Sequence, residues 1–231
     1  VFPTYENYVE QFQIFVDSIV KGGSITYNVE DPEVKRIVEA SENPIRKLPY
    51  ETPSYSVEEG ETLLETEEGH MPIEVFGKHN LSNLAGAKWI CQNMGIDEAD
   101  FYEAIATFKG ASKRLEKIGE GKSSVAYKDF AHSPSKVAAT TRAVKEQYQG
   151  KKLLACLELH TYSSLNAEFL KEYKGALEYA DEAVVFYSPE SVKIKQLEEV
   201  TKDQIAAAFE RNDLKIYTDA LSFKEFLFQQ N

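Results

Sequence analysis

Three short stretches of this 231-residue chain gather side chains that hydrogen-bond and, for histidine, exchange protons near neutral pH. The first is Lys78-His79-Asn80-Leu81-Ser82-Asn83. The second is Asp129-Phe130-Ala131-His132-Ser133-Pro134. The third is His160-Thr161-Tyr162-Ser163-Ser164. Each follows an apolar run of strand character, and three of the four histidines fall in them. One such residue alone at a strand end is commonly a helix cap or a satisfied turn. Three such corners in one architecture point to a binding site.

Other chemistries fit the residues less well. No Cys or His pair has zinc-site spacing, and no Gly-x-Ser-x-Gly elbow is present. Gly119-Glu120-Gly121-Lys122-Ser123-Ser124 ends like a phosphate-binding loop. That motif needs a glycine five residues before Gly121, where Glu116 stands, and a helix after it. The residues that follow, Val125 to Phe130, read as a strand, so this segment is expected to be a hairpin turn.

The elements that must position these corners alternate. Glu6–Val20 has the spacing of an amphipathic helix closed by Gly22-Gly23. Ser24–Val29 reads as a strand, and Pro32–Ala40 as a helix with proline in its first turn. Pro44, Pro49 and Pro53 mark a looser stretch. Strands are expected to turn at Glu59-Gly60 and Glu68-Gly69. Helices follow over Leu84–Gly95 and Asp97–Phe108, the second capped by Asp97. Beyond Phe108, Val125–Phe130, Lys151–Leu159 and Asp181–Ser188 read as buried strands. Helical segments lie at Pro134–Tyr148 and Ala167–Ala180, then a helix at Lys202–Phe209, a strand at Lys215–Ala220 and a last helix at Ser222–Gln230. Alternating strands and helices imply a parallel sheet with right-handed crossovers, whose ligands sit at the strands' carboxyl ends.

Composition narrows the partners. An apolar fraction of 42% supports a real core, and 38 acids against 26 bases give a net charge of −12. Nucleic acid as partner is disfavoured, because phosphate binding needs a basic face. No apolar run approaches the ~20 residues of a membrane span, and the N-terminus has no signal-peptide pattern. Cys91 and Cys156 lie far apart in apolar runs, so buried reduced thiols and a cytoplasmic setting are expected. The chain lacks an initiator Met and reads as processed or as part of a longer protein.

In order along the chain, Gly77–Asn83, Phe108–Glu116, Tyr127–Val144 and Leu157–Asn166 resemble the Mur ligases of peptidoglycan synthesis. The resemblance covers nearly the whole chain and is strongest from Phe76 to Ala180. It implies an α/β fold: a truncated central ATPase-type domain, then a Rossmann-like, mostly parallel sheet with flanking helices. Residues 1–106 would be the late part of the central domain, without its phosphate loop. Residues 107–231 would be the C-terminal domain. The implied chemistry is an ATP-dependent amide ligation onto UDP-N-acetylmuramate, with Mg ligands expected mostly outside this chain and this portion alone inactive.

The resemblance also implies roles. His79, Asn80 and Asn83 would lie near the nucleotide base. Arg114 would face the phosphates and Asp129 the ribose. His132 would stand between phosphates and acceptor, with Arg114 and His132 as the catalytic pair. Phe130, His160, Tyr162 and Ser163 would line the acceptor side. Some positions depart from the family pattern. Lys113 replaces an arginine, which keeps charge but loses the bidentate fork. Lys128 replaces an acid, Ser133 a histidine and Ser164 an arginine. The last change favours the tripeptide L-Ala-γ-D-Glu-meso-diaminopimelate over free L-alanine as acceptor. Three alternatives stay open: a member of the family that adds free L-alanine to UDP-N-acetylmuramate, a ligase of the same superfamily acting on folates, and a non-catalytic α/β binding module.

Overall fold

The first helix, α1 (Tyr5–Asp17), starts where the Asn7 backbone N–H donates to Thr4 Oγ1 at 3.2 Å. The chain then turns through Gly22, at φ 80°, into strand β1 (Ser24–Asn28). Helix α2 (Pro32–Ala40) has Pro32 in its first turn, and Asp31 Oδ1 accepts the Glu33 and Val34 amides at 3.0 Å each. Val16, Tyr27, Ile37 and Val38 are buried together where these elements meet. The computed structural model describes Phe2 and residues 4–230, which divide into two compact units, Val1–Phe108 and Lys109–Asn231.

Strand β2 (Arg46–Tyr50) lies where the prolines suggested loose chain, and it pairs parallel with β1. Pro49 sits opposite Tyr27 in that register; a proline removes one ladder donor, which an outer strand tolerates. Strands β3 (Tyr55–Glu58), β4 (Glu61–Thr66) and β5 (Gly69–Ile73) form an antiparallel meander turning at the expected Glu-Gly pairs. Leu64 and Ile73 from this meander pack with Leu81 and Leu84 of helix α3 (Lys78–Asn93) and Phe101 of helix α4 (Glu98–Ala106). Asp97 caps α4, accepting the Asp100 amide at 2.9 Å.

In the second unit, strands β6 (Glu116–Glu120) and β7 (Val125–Lys128) form an antiparallel ribbon around the Gly121–Ser124 turn. The segment 125–130 was expected in the parallel sheet. The 119–124 segment is the hairpin turn the sequence led one to expect, and it pairs 125–128 with β6 rather than with the parallel sheet. Helix α5 (Pro134–Gln147) leads to β8 (Leu154–Glu158). A short helix α6 (Ala167–Leu170) and a 3-10 turn (Lys171–Tyr173) lead to β9 (Glu182–Phe186). One long helix was expected over 167–180, but the chain leaves helical geometry at Lys174, with ψ 122°, and Gly175 follows at φ 72°. Helices α7 (Pro189–Ile194) and α8 (Lys202–Phe209), strand β10 (Lys215–Tyr217) and helix α9 (Ala220–Phe228) complete the unit.

The sheet order is β10-β9-β8, all parallel. Its core includes Leu157, Leu159, Tyr173, Val185, Val192 and Ile205. At the amino edge, Glu182 pairs with Lys152 at 2.7 Å and also with Lys215, linking the starts of three strands. The carboxyl edge, where β8 runs into His160, stays free for the polar corners. Cys91 is half-buried and Cys156 is exposed. The expectation of two buried thiols is therefore met only in part by Cys91 and fails for Cys156.

Candidate functional site

Arg114 is exposed on a tightly bent loop. Its neighbours Lys113 and Leu115 both adopt positive φ, 57° and 46°. Non-glycine residues there cost on the order of 1–3 kcal/mol each and persist only when the surroundings enforce them. The enforcing contacts are specific. Leu115 N–H donates to Asp129 Oδ2 at 2.8 Å, and Lys113 N–H donates to Glu116 Oε2 at 2.8 Å. The Phe130 amide donates to the Lys113 carbonyl at 2.9 Å. The Lys113 amide, with the Ser112 hydroxyl, holds Glu116 below the usual carboxylate range.

Asp129 is thus the knot of this corner. Its Oδ1 also accepts the Ala131 amide at 2.6 Å and the Thr140 hydroxyl at 3.4 Å. A carboxylate has about four lone-pair positions. The side chain can therefore hold the loop and still accept from a ligand hydroxyl.

The structure brings Arg114, Phe130, His132 and His160 together. The Arg114 guanidinium carbon lies 6.0 Å from the Phe130 ring centroid. Phe130 is 5.2 Å from His132 and 6.3 Å from His160, and the two histidine rings are 6.0 Å apart. Phe130 stays 48% exposed, so it is a surface of the site rather than core. Each imidazole binds a backbone carbonyl two residues earlier: His132 Nδ1 at 2.9 Å from Phe130 O, and His160 Nδ1 at 3.3 Å from Glu158 O. A carbonyl only accepts, so Nδ1 is the donor in both contacts, and in a neutral imidazole so bonded Nε2 is the acceptor.

His132 is held from below by a residue the sequence did not single out. The Tyr173 hydroxyl donates to the His132 carbonyl, while the ring, fully buried, stacks on Phe209 at 5.1 Å. Burial pushes the Tyr173 hydroxyl up to about 12, so it remains a donor.

The turn after His160 is locked by reciprocal bonds. Thr161 N–H donates to Ser164 Oγ at 2.9 Å, and Ser164 N–H donates to Thr161 Oγ1 at 3.0 Å. Ser164 is 1% exposed and spends its side chain on this turn. Ser163 and Tyr162 face outward, Tyr162 at 64% exposure. Lys195, which the sequence did not mark, places Nζ 4.7 Å from the Tyr162 ring centroid.

The remaining candidates, His79, Asn80 and Asn83, belong to the first unit. No side chain caps α3; Gly77 stands at its N-cap, at φ 88° and ψ 136°. The polar cluster therefore lies within the first turns of the helix. Asn80 Nδ2 donates to Phe76 O at 2.9 Å, Ser82 Oγ accepts from Asn28 at 3.2 Å, and Lys78 pairs with Glu30 at 2.7 Å. Asn83 is exposed, with its amide open to solvent.

A cavity of about 590 Å³ among α1, β1 and α2 is walled by Phe12, Phe15, Tyr27 and Tyr50. Its lining is apolar and includes none of the three polar corners. Among the described residues no cluster of three His, Cys, Asp or Glu could hold a metal ion, and no helix is long and apolar enough to cross a membrane.

No family model matches the chain. UDP-N-acetylmuramate–L-alanine ligase of Caldicellulosiruptor bescii is 28% identical over 196 residues, covering 80% of this chain and 43% of that protein. Among solved structures, UDP-N-acetylmuramate-alanine ligase MurC of Thermotoga maritima aligns with 96% of this chain and 49% of its own. The TM-score is 0.66 at 16% identity. MurF ligase of Thermotoga maritima, solved in complex with ADP, aligns with 99% of this chain and 52% of its own, at TM-score 0.69 and 15% identity. The chain thus spans about half the length, or less, of the proteins it matches.

Proposed function

Because the chain belongs to the Mur ligase family, we propose that the protein containing it is an ATP-dependent amide ligase of peptidoglycan synthesis or recycling. It joins UDP-N-acetylmuramate to L-Ala-γ-D-Glu-meso-diaminopimelate. The observation that carries this reading is the run of Arg114, Phe130, His132 and His160, each histidine with Nδ1 against a backbone carbonyl.

The reaction needs a carboxylate activated by phosphorylation and an amine that then displaces phosphate. ATP supplies the phosphoryl group when bound. Arg114, presented on its strained loop, neutralises phosphate oxygens as charge shifts between them. Asp129 accepts from ribose hydroxyls with its remaining lone pairs. Taken by itself, the first unit offers the polar side chains of His79, Asn80 and Asn83 to a nucleotide base. In the second step the acceptor's nitrogen bonds to the activated carbonyl carbon, the carbon–oxygen bond to phosphate breaks, and the amine loses a proton. His132 Nε2 is the acceptor for that proton. Mg, where it takes part, would be held mostly by residues outside this chain. The reading also makes the protein cytoplasmic, where its nucleotide substrates are.

The tripeptide is favoured by the third corner. Position 164 holds a buried serine engaged in its own turn, so it offers no clamp to the α-carboxylate of a small amino acid. His160, Tyr162 and Ser163 are spread over an exposed turn and suit distributed contacts to a longer acceptor. The test is a competition assay on the full-length protein with ATP, UDP-N-acetylmuramate and equal amounts of tripeptide and L-alanine. The expected product is UDP-N-acetylmuramyl-tripeptide. Mainly UDP-N-acetylmuramyl-L-alanine would establish the second reading, to which the name of the C. bescii relative points.

A further inference from the structure

An acceptor peptide carries several carboxylates and must approach a chain of net charge −12. Local positive charge has to meet it. The 160–164 turn has no cation of its own, and Ser164 is sealed inside it. Lys195 reaches the same turn from the next strand's connection. It follows α7, which leaves the carboxyl end of β9, while Tyr162 leaves the carboxyl end of β8. Those two strands are parallel neighbours, so both side chains converge at one sheet edge.

Lys195 is well anchored. Val192, one turn earlier, is 1% exposed in the core, and Lys195 N–H donates to Ser191 O at 3.1 Å. Gln196, at φ 55°, turns the chain away directly afterwards. Five lysines of this unit, Lys145, Lys152, Lys171, Lys174 and Lys215, are paired with carboxylates, while Lys151 and Lys224 also lie over aromatic rings but away from the 160–164 turn. Lys195 instead holds its ammonium over an aromatic face, 4.7 Å from the Tyr162 centroid. That contact orients the cation without cancelling its charge. The outward face of the ammonium remains available to an anion.

Resting on the tripeptide reading above, we propose that Lys195, oriented by Tyr162, binds a carboxylate of the acceptor remote from its attacking amine, and so selects peptide acceptors. The site then has an order. Arg114 takes the phosphate end, His132 and His160 the reacting amine, and Tyr162 with Lys195 the distal carboxylate.

The experiment uses the full-length protein, Lys195→Ala, Lys195→Gln and Lys195→Arg, with two acceptors: the tripeptide and the same tripeptide amidated on its terminal carboxylates. Losing a charge-assisted contact should raise the tripeptide KM about tenfold or more in the Ala and Gln variants. The KM values for ATP and UDP-N-acetylmuramate should stay within about twofold of the parent, and Arg should recover most of the loss. The parent should bind the amidated peptide worse by a similar factor, and the Ala and Gln variants should treat both peptides alike. A merely structural lysine would not produce that coupling. An unchanged tripeptide KM in folded Lys195→Gln, or a full amidation penalty persisting in it, overturns the proposal. A parent protein that ligates neither acceptor overturns the functional reading first, and this proposal with it, before any variant is made.

Discussion

A single side chain in this protein often serves both architecture and chemistry, and substitutions separate the two. Arg114 forms no ion pair among the described residues and stacks near Phe130, so it adds little to stability. Arg114→Ala in the full-length protein should leave the melting temperature nearly unchanged and lower kcat by tenfold or more, roughly the loss of one phosphate-facing donor. Turnover within about twofold of the parent would return Arg114 to the surface. Asp129 differs, because it also holds the Leu115 and Ala131 amides. Asp129→Ala should weaken ATP binding about tenfold or more, leave UDP-sugar affinity intact, and lower stability by about 1–3 kcal/mol. Calorimetric titration of both ligands, with thermal melting, separates the effects; unchanged ATP affinity rejects the ribose role. Tyr173→Phe removes only the hydroxyl beneath His132. It should cost about 1 kcal/mol and lower turnover while ATP affinity holds. A variant with parental turnover would show that the His132 carbonyl needs no anchor.

At the level of elements, the devices that begin helices are mostly side-chain caps, but α3 depends on backbone conformation. Gly77 enters it at φ 88° and ψ 136°, a region open to glycine and strained for other residues. Gly77→Ala should cost about 1–2 kcal/mol, the usual penalty for a Cβ at positive φ. It should also disturb the first turns of α3, which carry His79, Asn80 and Asn83. The check is a denaturant midpoint together with nucleotide affinity. An alanine variant as stable as the parent would mean that the loop relaxes freely and that α3 does not need this entry angle.

Across the first unit as a whole, one carboxylate ties three segments together. Glu30, after β1, accepts from the Lys78 ammonium at 2.7 Å, the Thr52 amide at 2.9 Å and the Thr52 hydroxyl. The Lys78 and Thr52 bonds hold Glu30 down at about 2, from an ordinary value of 4.5. The folded state thus binds this proton more weakly than the unfolded chain. The stabilisation is fully present above the ordinary value and disappears as pH falls through the folded one. Glu30→Gln should therefore melt below the parent at neutral pH, with the gap closing between about pH 4.5 and pH 2. A gap that does not change over that window would assign the effect to packing.

Much of the fold was legible because its signals are local. Pro32 after Asp31, the Glu-Gly pairs at 59–60 and 68–69, and Asp97 before α4 act within a few residues of themselves, and the chain obeys them. The polar corners were visible for the same reason: strand ends and unusual side chains stand next to each other in sequence. Long-range pairing was not visible. Pro49 looked like loop until β1 accepted it as a neighbour, because that pairing is decided by contacts far along the chain. The 119–124 turn was legible, but not that the strand after it would leave the parallel sheet. The same limit applies to the site. Tyr173 and Lys195 are separated from His132 and Tyr162 by 41 and 33 positions (173 minus 132, 195 minus 162), and each reads alone as an ordinary aromatic or surface lysine. Only parallel strands ending side by side, with their connections folded over one edge, give them a role.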